Sequence, residues 1–316
     1  MKMAKRSIGK NNRELFRAEE SKSIRFLIIG DLHGQMPRIY FKDFDAIIAP
    51  GDICSDKGIR DVFMKMYRNY VKDVSNYQDW WDITGKKRAK KMTYNSLDAG
   101  RRILKFLKTY KKPIFIVPGN WDWAIQGKED WEFMNHNFWK ERVIKGMKDI
   151  HDVDGKIKRF YNIQIIGYGT CNGPELVRYR GYGGISKARL KRNESRYKKS
   201  LKKYNKLFSR LKKDLPVIYL SHNVPFKTRL DTIVDNKNPL NGKHFGSNLA
   251  RAMIEKHRPL VNIGGHMHEH FGKDKIGRTT IINAGFGSHV NTLLEIKDGK
   301  IIKLKFYRGH TRSRYP

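Results

Sequence analysis

The feature of this sequence that most constrains its fold is a succession of short apolar runs that each stop at a glycine or a histidine. Predominantly apolar runs of this length are typical of buried strands rather than strands with one solvated face. Helical patterns such as LDAGRRILKFLKTY lie between the early runs, so a layered α/β protein with helix-covered sheets is predicted. The runs are rich in isoleucine and valine, and they are IRFLIIG up to Gly30, FDAIIAPG up to Gly51, KPIFIVPG up to Gly119, IQIIGYG up to Gly169, VIYLSH up to His222 and PLVNIGGH up to His266.

Three more strand-like segments follow, TTIINAG, NTLLEIKDG and KIIKLKFY, and Asp298-Gly299 is predicted to form a hairpin turn between the last two. A chain of 316 residues suits one large domain, which we assign to residues 24–308. The segment at about 57–100 exceeds what a strand-to-strand crossover requires, so a helical insertion is predicted there. Its Trp80 and Trp81 could form part of a cap over a site, or could simply pack the insertion onto the body.

The charge of the chain is strongly positive, because 66 lysines and arginines stand against 31 acidic residues, a formal net charge of +35. A field of that sign attracts polyanions, so nucleic acid, RNA or DNA, is a predicted partner. Apolar residues at helical spacing predict a long basic helix at about 186–214. On the outer face of this helix, the basic residues have almost no acidic residue four positions later to pair with. That face could be merely solvated or could contact phosphates. Basic arms at 1–23 and 309–316 are predicted to be poorly ordered unless bound.

Several classes of protein are disfavoured by the sequence. No stretch approaches the roughly 18 apolar residues of a membrane span, and the start lacks the apolar centre of a secretory signal. A cytoplasmic protein without a membrane partner is expected, whereas oligomeric state has no signal. Cys54 and Cys171 lack paired spacing, so no disulfide framework or cysteine-type zinc site is predicted. Each cysteine is expected to be a small buried apolar residue.

Metal-ligating side chains follow the predicted strands in order. Carboxylate and imidazole together suit borderline divalent ions such as Mn, Fe, Co, Ni or Zn. Strand ends at one edge of an α/β sheet are where such proteins gather their sites, and one carboxylate with two oxygens, Asp52, could bridge two ions. A site for two divalent metal ions is therefore predicted from Asp31, His33, Asp52, Asn120, His222, His266 and His268.

These residues stand in the blocks GDLHG, PGDIC, GNWD, SHNVP and GHMHEH. In that order they resemble the calcineurin-like metallophosphoesterase family, which is marked by D-x-H, G-D, G-N-H-(D/E), a lone H and G-H-x-H. The resemblance spans roughly Ile24 to Gly287 and implies a four-layer sandwich of two mixed β-sheets flanked by helices. It implies two ion sites that share Asp52: one is completed by Asp31, His33 and His268, and the other by Asn120, His222 and His266.

The resemblance also implies a reaction. Two ions about 3.5 to 4 Å apart would clamp the phosphoryl oxygens, and a metal-bridging hydroxide would attack phosphorus in line, without a covalent intermediate. The expected substrate is a phosphate ester. The net charge favours a phosphodiesterase acting on nucleotides or nucleic acid, with Asn120 and Asp122 as the expected catalytic residues of the third block.

The third block departs from the family, because Trp121 stands where the family has a histidine that assists the leaving group. Indole cannot act as a general acid, a role worth about 10² to 10⁴-fold, and Asp122 loses the partner it usually orients. Trp121 could stack on a base as a substrate-binding residue, or could only fill space. The enzyme could use esters with good leaving groups, or take its proton from His136 or His244. The alternative is an RNA- or ribonucleoprotein-binding protein with weak or lost catalysis.

Overall fold

The structure is a computed structural model that describes residues 23–72, 78–124, 127–176, 179–180, 183–184, 186–236, 238 and 240–309. Its helices are α1 (Ile59–Lys72), α2 (Trp80–Thr84), α3 (Lys86–Lys108), α4 (Lys187–Phe208) and α5 (Asn248–His257), with short helical turns at Glu132–Asn135 and Trp139–Val143. Its strands are β1 (Ile24–Ile29), β2 (Ala46–Ala49), β3 (Ile114–Ile116), β4 (Ile150–Asp152), β5 (Ile157–Phe160), β6 (Ile163–Tyr168), β7 (Tyr179–Arg180), β8 (Gly183–Gly184), β9 (Val217–Asn223), β10 (Val261–Gly265), β11 (Gly272–Ile276), β12 (Thr279–Asn283), β13 (Val290–Lys297) and β14 (Lys300–Arg308).

Twelve of these strands form two six-stranded sheets. The first has the order β14-β13-β1-β2-β3-β4, in which β1 to β4 are parallel and β13 is antiparallel to both of its neighbours. The second has the order β11-β12-β10-β9-β6-β5, in which the four inner strands are parallel and the two outer strands antiparallel. Both sheets are mixed, as the family resemblance implied.

Side chains of the central strands alternate between two apolar interiors, because successive residues of a strand point to opposite faces. In β1, Phe26 and Ile28 belong to the layer between the two sheets, whereas Leu27 and Ile29 pack beneath α3. The outer face of the second sheet is covered by α4 and α5. Burial on both faces explains the predominantly apolar runs, and the order helix, sheet, sheet, helix confirms the predicted four-layer sandwich.

The basic helix is shorter than the predicted range of about 186–214, since α4 ends at Phe208. Beyond that point the backbone of Lys212 exchanges two hydrogen bonds with the Gln164 side chain of β6, each 2.9 Å long. These bonds turn the chain toward Pro216 and β9, and a proline disfavours helix in the residue before it. The helix therefore stops where the chain must re-enter the second sheet.

The described residues of the range 57–100 include α1, α2 and the first two-thirds of α3. Trp80 and Trp81 are buried there, in a cluster with Ile59 and Ala89. The ring of Phe63 in α1 stacks on Trp80 at 5.8 Å between ring centroids. The two indoles thus pack these helices against one another.

Three further expectations concern the periphery and the cysteines. The predicted basic arms at 1–23 and 309–316 lie outside the described residues, apart from Ser23 and Gly309. Within the described ranges, we find no helix whose length and apolar content would let it span a membrane. Cys54 and Cys171 are free thiols with buried side chains, which confirms the prediction made for them.

Candidate metal centre

The seven polar side chains singled out in the sequence lie at the carboxyl ends of β1, β2, β3, β9 and β10, so both sheets contribute to one place. Three of these residues adopt left-handed backbone conformations, with φ of 45° at His33, 51° at Asp52 and 68° at His266. Such conformations cost a non-glycine residue about 1–2 kcal/mol. They persist where the surroundings determine them, and they are found most often at functional sites.

Asp31, His33 and His268 form the first group, whose potential ligand atoms all lie within 4.8 Å of one another. The two imidazoles face each other with 3.1 Å between their Nε2 atoms, and His268 Nε2 lies 3.5 Å from Asp31 Oδ2. The other oxygen of Asp31, Oδ1, is buried without a hydrogen-bond partner. Lone pairs that converge in this way fit a cation.

Asp52, His222 and His266 form the second group, with the same 4.8 Å limit between their ligand atoms. His222 Nδ1–H donates to the Pro50 carbonyl at 2.9 Å, which leaves the lone pair on Nε2. That Nε2 faces Asn120 Oδ1 at 2.8 Å, and His266 Nδ1 faces the same oxygen at 2.9 Å. Asn120 Oδ1 thus adds a fourth potential ligand atom to the second group.

Asp52 lies between the two groups. Its Oδ2 is 3.5 Å from His33 Nε2 of the first group and 3.6 Å from His222 Nε2 of the second. Burial, and then the charges of Asp31 and Asp122, raise the pKa of Asp52 well above its usual range, although His33 opposes them. A buried carboxylate of this kind requires a compensating positive charge, and the ion pairs of Asp31 and Asp52 within the described part of the chain involve histidines alone. Divalent cations fit the donor set.

The histidines of the site also suit a metal. Burial, followed by the nearby His222 and His268, lowers the pKa of His266 well below its usual range. A neutral imidazole is the form that binds a metal ion. His268 is further held by Phe286, whose ring stacks on it at 4.2 Å between centroids.

Asp122 is buried directly behind Asp52. Its Oδ2 accepts the backbone N–H groups of Asp52 at 2.7 Å and Gly119 at 2.8 Å, and its Oδ1 accepts those of Ile53 at 3.0 Å and Cys54 at 2.9 Å. Both oxygens are therefore engaged with the loops that follow β2 and β3. These are the contacts of a residue that positions Asp52, and the catalytic role predicted for Asp122 stays a prediction.

Trp121 takes part in the site through its backbone, because its N–H donates to Asp52 Oδ1 at 2.7 Å. Its indole lies in the aromatic cluster that also contains Trp80, edge-on to Phe63 at 5.3 Å. The guanidinium of Arg60 lies over the indole at 5.2 Å from the ring centroid. The side chain is partly exposed and lines a cleft that also reaches Asn120.

The two histidines considered as proton donors lie in different surroundings. His136 lines the same cleft as Asn120 and Trp121, with its Nδ1 3.2 Å from Glu141 Oε2. His244 Nδ1 instead lies 2.7 Å from Asp231 Oδ1, in the loop between β9 and α5. Of these two histidines, His136 is therefore the one that lines a cleft together with Asn120.

Sequence reasoning missed Asp56, whose Oδ2 lies 3.3 Å from His33 Nδ1. Although burial raises it, the pairing with His33 and the charge of Arg60 hold the pKa of Asp56 well below its usual range. A carboxylate on the outer nitrogen of a metal-binding histidine fixes the orientation of the ring. The available signal was its place four residues after Asp52, in the loop that follows β2.

Comparison with known proteins agrees with this geometry. A family model described as calcineurin-like phosphoesterase matches residues 24–270. An uncharacterized protein of Methanocaldococcus jannaschii is 25% identical over 269 residues, which cover 83% of this chain and 88% of that protein.

One solved structure of low sequence identity shares the fold. One crystal structure aligns with 90% of this chain and 100% of its own, at 15% identity and a TM-score of 0.55. The crystal structure of a dimetal phosphatase from Danio rerio aligns with 90% of this chain and 96% of its own, at 13% identity and a TM-score of 0.44. With the family model matched over most of its length, the chain belongs to the calcineurin-like phosphoesterase family and is a metal-dependent phosphoester hydrolase.

Proposed function

We propose that this protein is a dimetal phosphodiesterase that hydrolyses phosphate esters of nucleotides or nucleic acid. The observation that carries the proposal is the position of Asp52 between two groups of ligands, 3.5 Å from His33 and 3.6 Å from His222. One ion would be held by Asp31, His33, Asp52 and His268, and the other by Asp52, Asn120, His222 and His266. Divalent ions bound there supply Lewis-acid stabilisation of the phosphoryl charge and activate water.

The residues of the chain prepare this site. The His222 tautomer is set by Pro50, and the carboxylate of Asp52 is held by the Trp121 backbone. Since the indole of Trp121 cannot donate a proton to a leaving group as imidazole does, His136 in the same cleft is the candidate donor. Mn, Fe, Co, Ni and Zn all suit the mixed oxygen and nitrogen ligands.

A nucleotide or nucleic acid substrate is supported by the net charge of +35, because a positive field concentrates polyanionic substrates. It is also supported by the aromatic residues that line the cleft beside Asn120. A diester of this kind carries the negative phosphate and a flat base that such surroundings accept.

The proposal is tested by measuring hydrolysis of bis-p-nitrophenyl phosphate and of short RNA and DNA with Mn²⁺, alongside Asp52→Ala. Elemental analysis of the purified protein should find two equivalents of transition metal in the wild type and fewer in the variant. We expect Asp52→Ala to lose more activity than the about 10 to 100-fold that follows loss of an outer partner of a ligand. If the wild type and Asp52→Ala are equally inactive with every metal tested, the proposed hydrolysis is refuted.

A second candidate is an RNA- or ribonucleoprotein-binding protein that has kept the scaffold with weak catalysis. It is favoured by α4, which carries ten basic residues against one acidic residue, Glu194, and is buried only at Tyr204, Leu207 and Phe208. Affinity for structured RNA should then fall steeply with salt, because binding releases counterions from the phosphates. A flat salt dependence would exclude this candidate.

A further inference from the structure

The cleft beside the metal centre is mainly apolar. It has a volume of about 340 Å³, and its polar lining residues are Asn120, Glu129, His136 and Asn172. Its walls include Phe63, Trp121, Trp123 and Met134. A centre that handles charged phosphoryl groups has no need of such walls, so they point to an uncharged flat group attached to the phosphate.

The aromatic residues continue beyond the cleft as a connected series, which we call the aromatic wall. From one end, the centroid distances are 5.3 Å for Trp121 to Phe63, 5.8 Å for Phe63 to Trp80, 6.1 Å for Trp80 to Trp81, 5.8 Å for Trp81 to Trp131, 4.7 Å for Trp131 to Phe133 and 5.0 Å for Phe133 to Phe138. Within the wall, Trp80 and Trp81 are buried, whereas Phe63, Trp121, Trp131 and Phe133 are partly exposed. The wall therefore offers two pairs of partly exposed rings, which are connected through the buried Trp80 and Trp81.

Cations lie along the exposed side of the aromatic wall. Arg60 lies over Trp121, Lys86 Nζ over Trp131 at 6.0 Å and Lys90 Nζ over Phe133 at 5.2 Å. Lys86 and Lys90 belong to the sequence KKRAKK that begins α3, where the first turn has no acidic residue. Positive charge at a helix N-terminus is unfavourable for the helix, so helix stability does not account for this cluster.

We infer that the aromatic wall binds single-stranded nucleic acid, with bases against Trp121, Trp131 and Phe133 and phosphates paired with Lys86 and Lys90. This inference rests on the proposed function, since it leads the strand into the metal centre at Asn120. Aromatic rings that alternate with cations are the recurring design of single-strand sites, because every base has a flat face and every linkage a charge. A duplex hides its base faces by stacking, so it cannot use the wall.

The experiment compares the double variant Lys86→Ala/Lys90→Ala with the matched double variant Lys303→Ala/Lys305→Ala. The control removes the same charge from exposed positions on β14, at the far edge of the first sheet. Binding of RNA and DNA single strands of about 4 and about 16 nucleotides is measured against salt, together with hydrolysis of bis-p-nitrophenyl phosphate. Loss of two phosphate contacts should lower the log–log salt slope by about 1.4 for single strands and weaken binding of the longer strand, while the control and the small diester are unchanged.

Equal effects of the two double variants would overturn the inference, and so would binding of duplex as tight as binding of single strands. The result also separates the two proposals. If the wild type binds single strands through Lys86 and Lys90 but fails to cleave bis-p-nitrophenyl phosphate, the wall stands and the hydrolytic function fails. Binding measurements on RNA and on DNA of the same sequence identify which backbone is preferred.

Discussion

Asp122 accepts the backbone N–H of Asp52 in a buried hydrogen bond of 2.7 Å, directly behind the carboxylate that lies between the two groups of ligands. The same side chain accepts N–H groups from Gly119, Ile53 and Cys54. One carboxylate thus ties together the loops that follow two neighbouring strands of the first sheet. This relationship gives Asp122 a structural task that does not depend on the imidazole missing at Trp121.

Asp122→Ala is expected to lower the free energy of unfolding by about 3 kcal/mol or more, because a buried N–H left without an acceptor costs about 1–3 kcal/mol. Asp122→Asn keeps one acceptor oxygen and should lose less. Urea denaturation in EDTA measures both, with Asp149→Ala as the control, since the Asp149 side chain is exposed and pairs with Lys108 at the surface. A loss below about 1 kcal/mol for Asp122→Ala would contradict the assignment.

Gly119→Ala is expected to remove bound metal although glycine offers no ligand. A Cβ at Gly119 would lie 2.1 Å from Asp52 Oδ1, so the carboxylate would have to move. Elemental analysis should find less than two equivalents of metal, with a fall in activity of more than about 100-fold. Gly127→Ala is the matched control, because a Cβ there meets no atom of the described residues within 4 Å. Normal metal content in Gly119→Ala would show that the site tolerates the shift.

Trp121→His restores an imidazole next to Asn120 and is expected to raise kcat on esters with poor leaving groups by about 10²-fold or more, the contribution of a general acid. The backbone bond from residue 121 to Asp52 needs no indole and should survive. Rates on p-nitrophenyl esters should change little, because p-nitrophenolate leaves without a proton. Trp121→Phe separates loss of the indole from gain of the imidazole. An equal gain on both classes of ester would argue against proton donation.

His257 should make the metal-free protein less stable as the pH drops from 7.5 to 5.5. Burial lowers the pKa of His257, and the charge of Lys256 adds to that effect. A lowered folded pKa means that the unfolded chain binds more protons below about 6.5, so the free energy of unfolding decreases with acidification. His257→Gln should reduce this slope in urea midpoints measured in EDTA, and His136→Gln, at an exposed position, serves for comparison. If stability depends more steeply on pH in His257→Gln than in the wild type, the expected contribution of His257 is wrong.

The inner strands were predictable from sequence because burial on both faces leaves a predominantly apolar run, as in the segment that became β1. The outer strands β5 and β11 were not, since every one of their side chains is partly or fully exposed. The three residues of β4, Ile-His-Asp, are too short to show any period. The end of α4 was misplaced because it depends on Gln164, a residue distant in sequence.

That seven polar side chains would gather at one place was predictable, because each follows a strand and each is suited to a divalent ion. The side chains that surround this site were not predictable from the sequence. Whether His136 or His244 shares the cleft depends on how the loops after β3 and β9 fold back. The position of the Trp121 indole depends on Phe63 and Arg60, which come from a helix some sixty residues earlier.

Both sheets contribute to one centre: Asp31, His33, Asp52 and Asn120 follow strands of the first sheet, and His222, His266 and His268 come from the second. The distances between these ligands are therefore set by how the sheets are stacked, through contacts of residues such as Phe26 and Leu220 between them. A change of one methylene in that layer would alter the spacing of ligands it never touches. We therefore expect substitutions in that interior layer to change which divalent ions the protein retains, although the layer holds none of the proposed ligands.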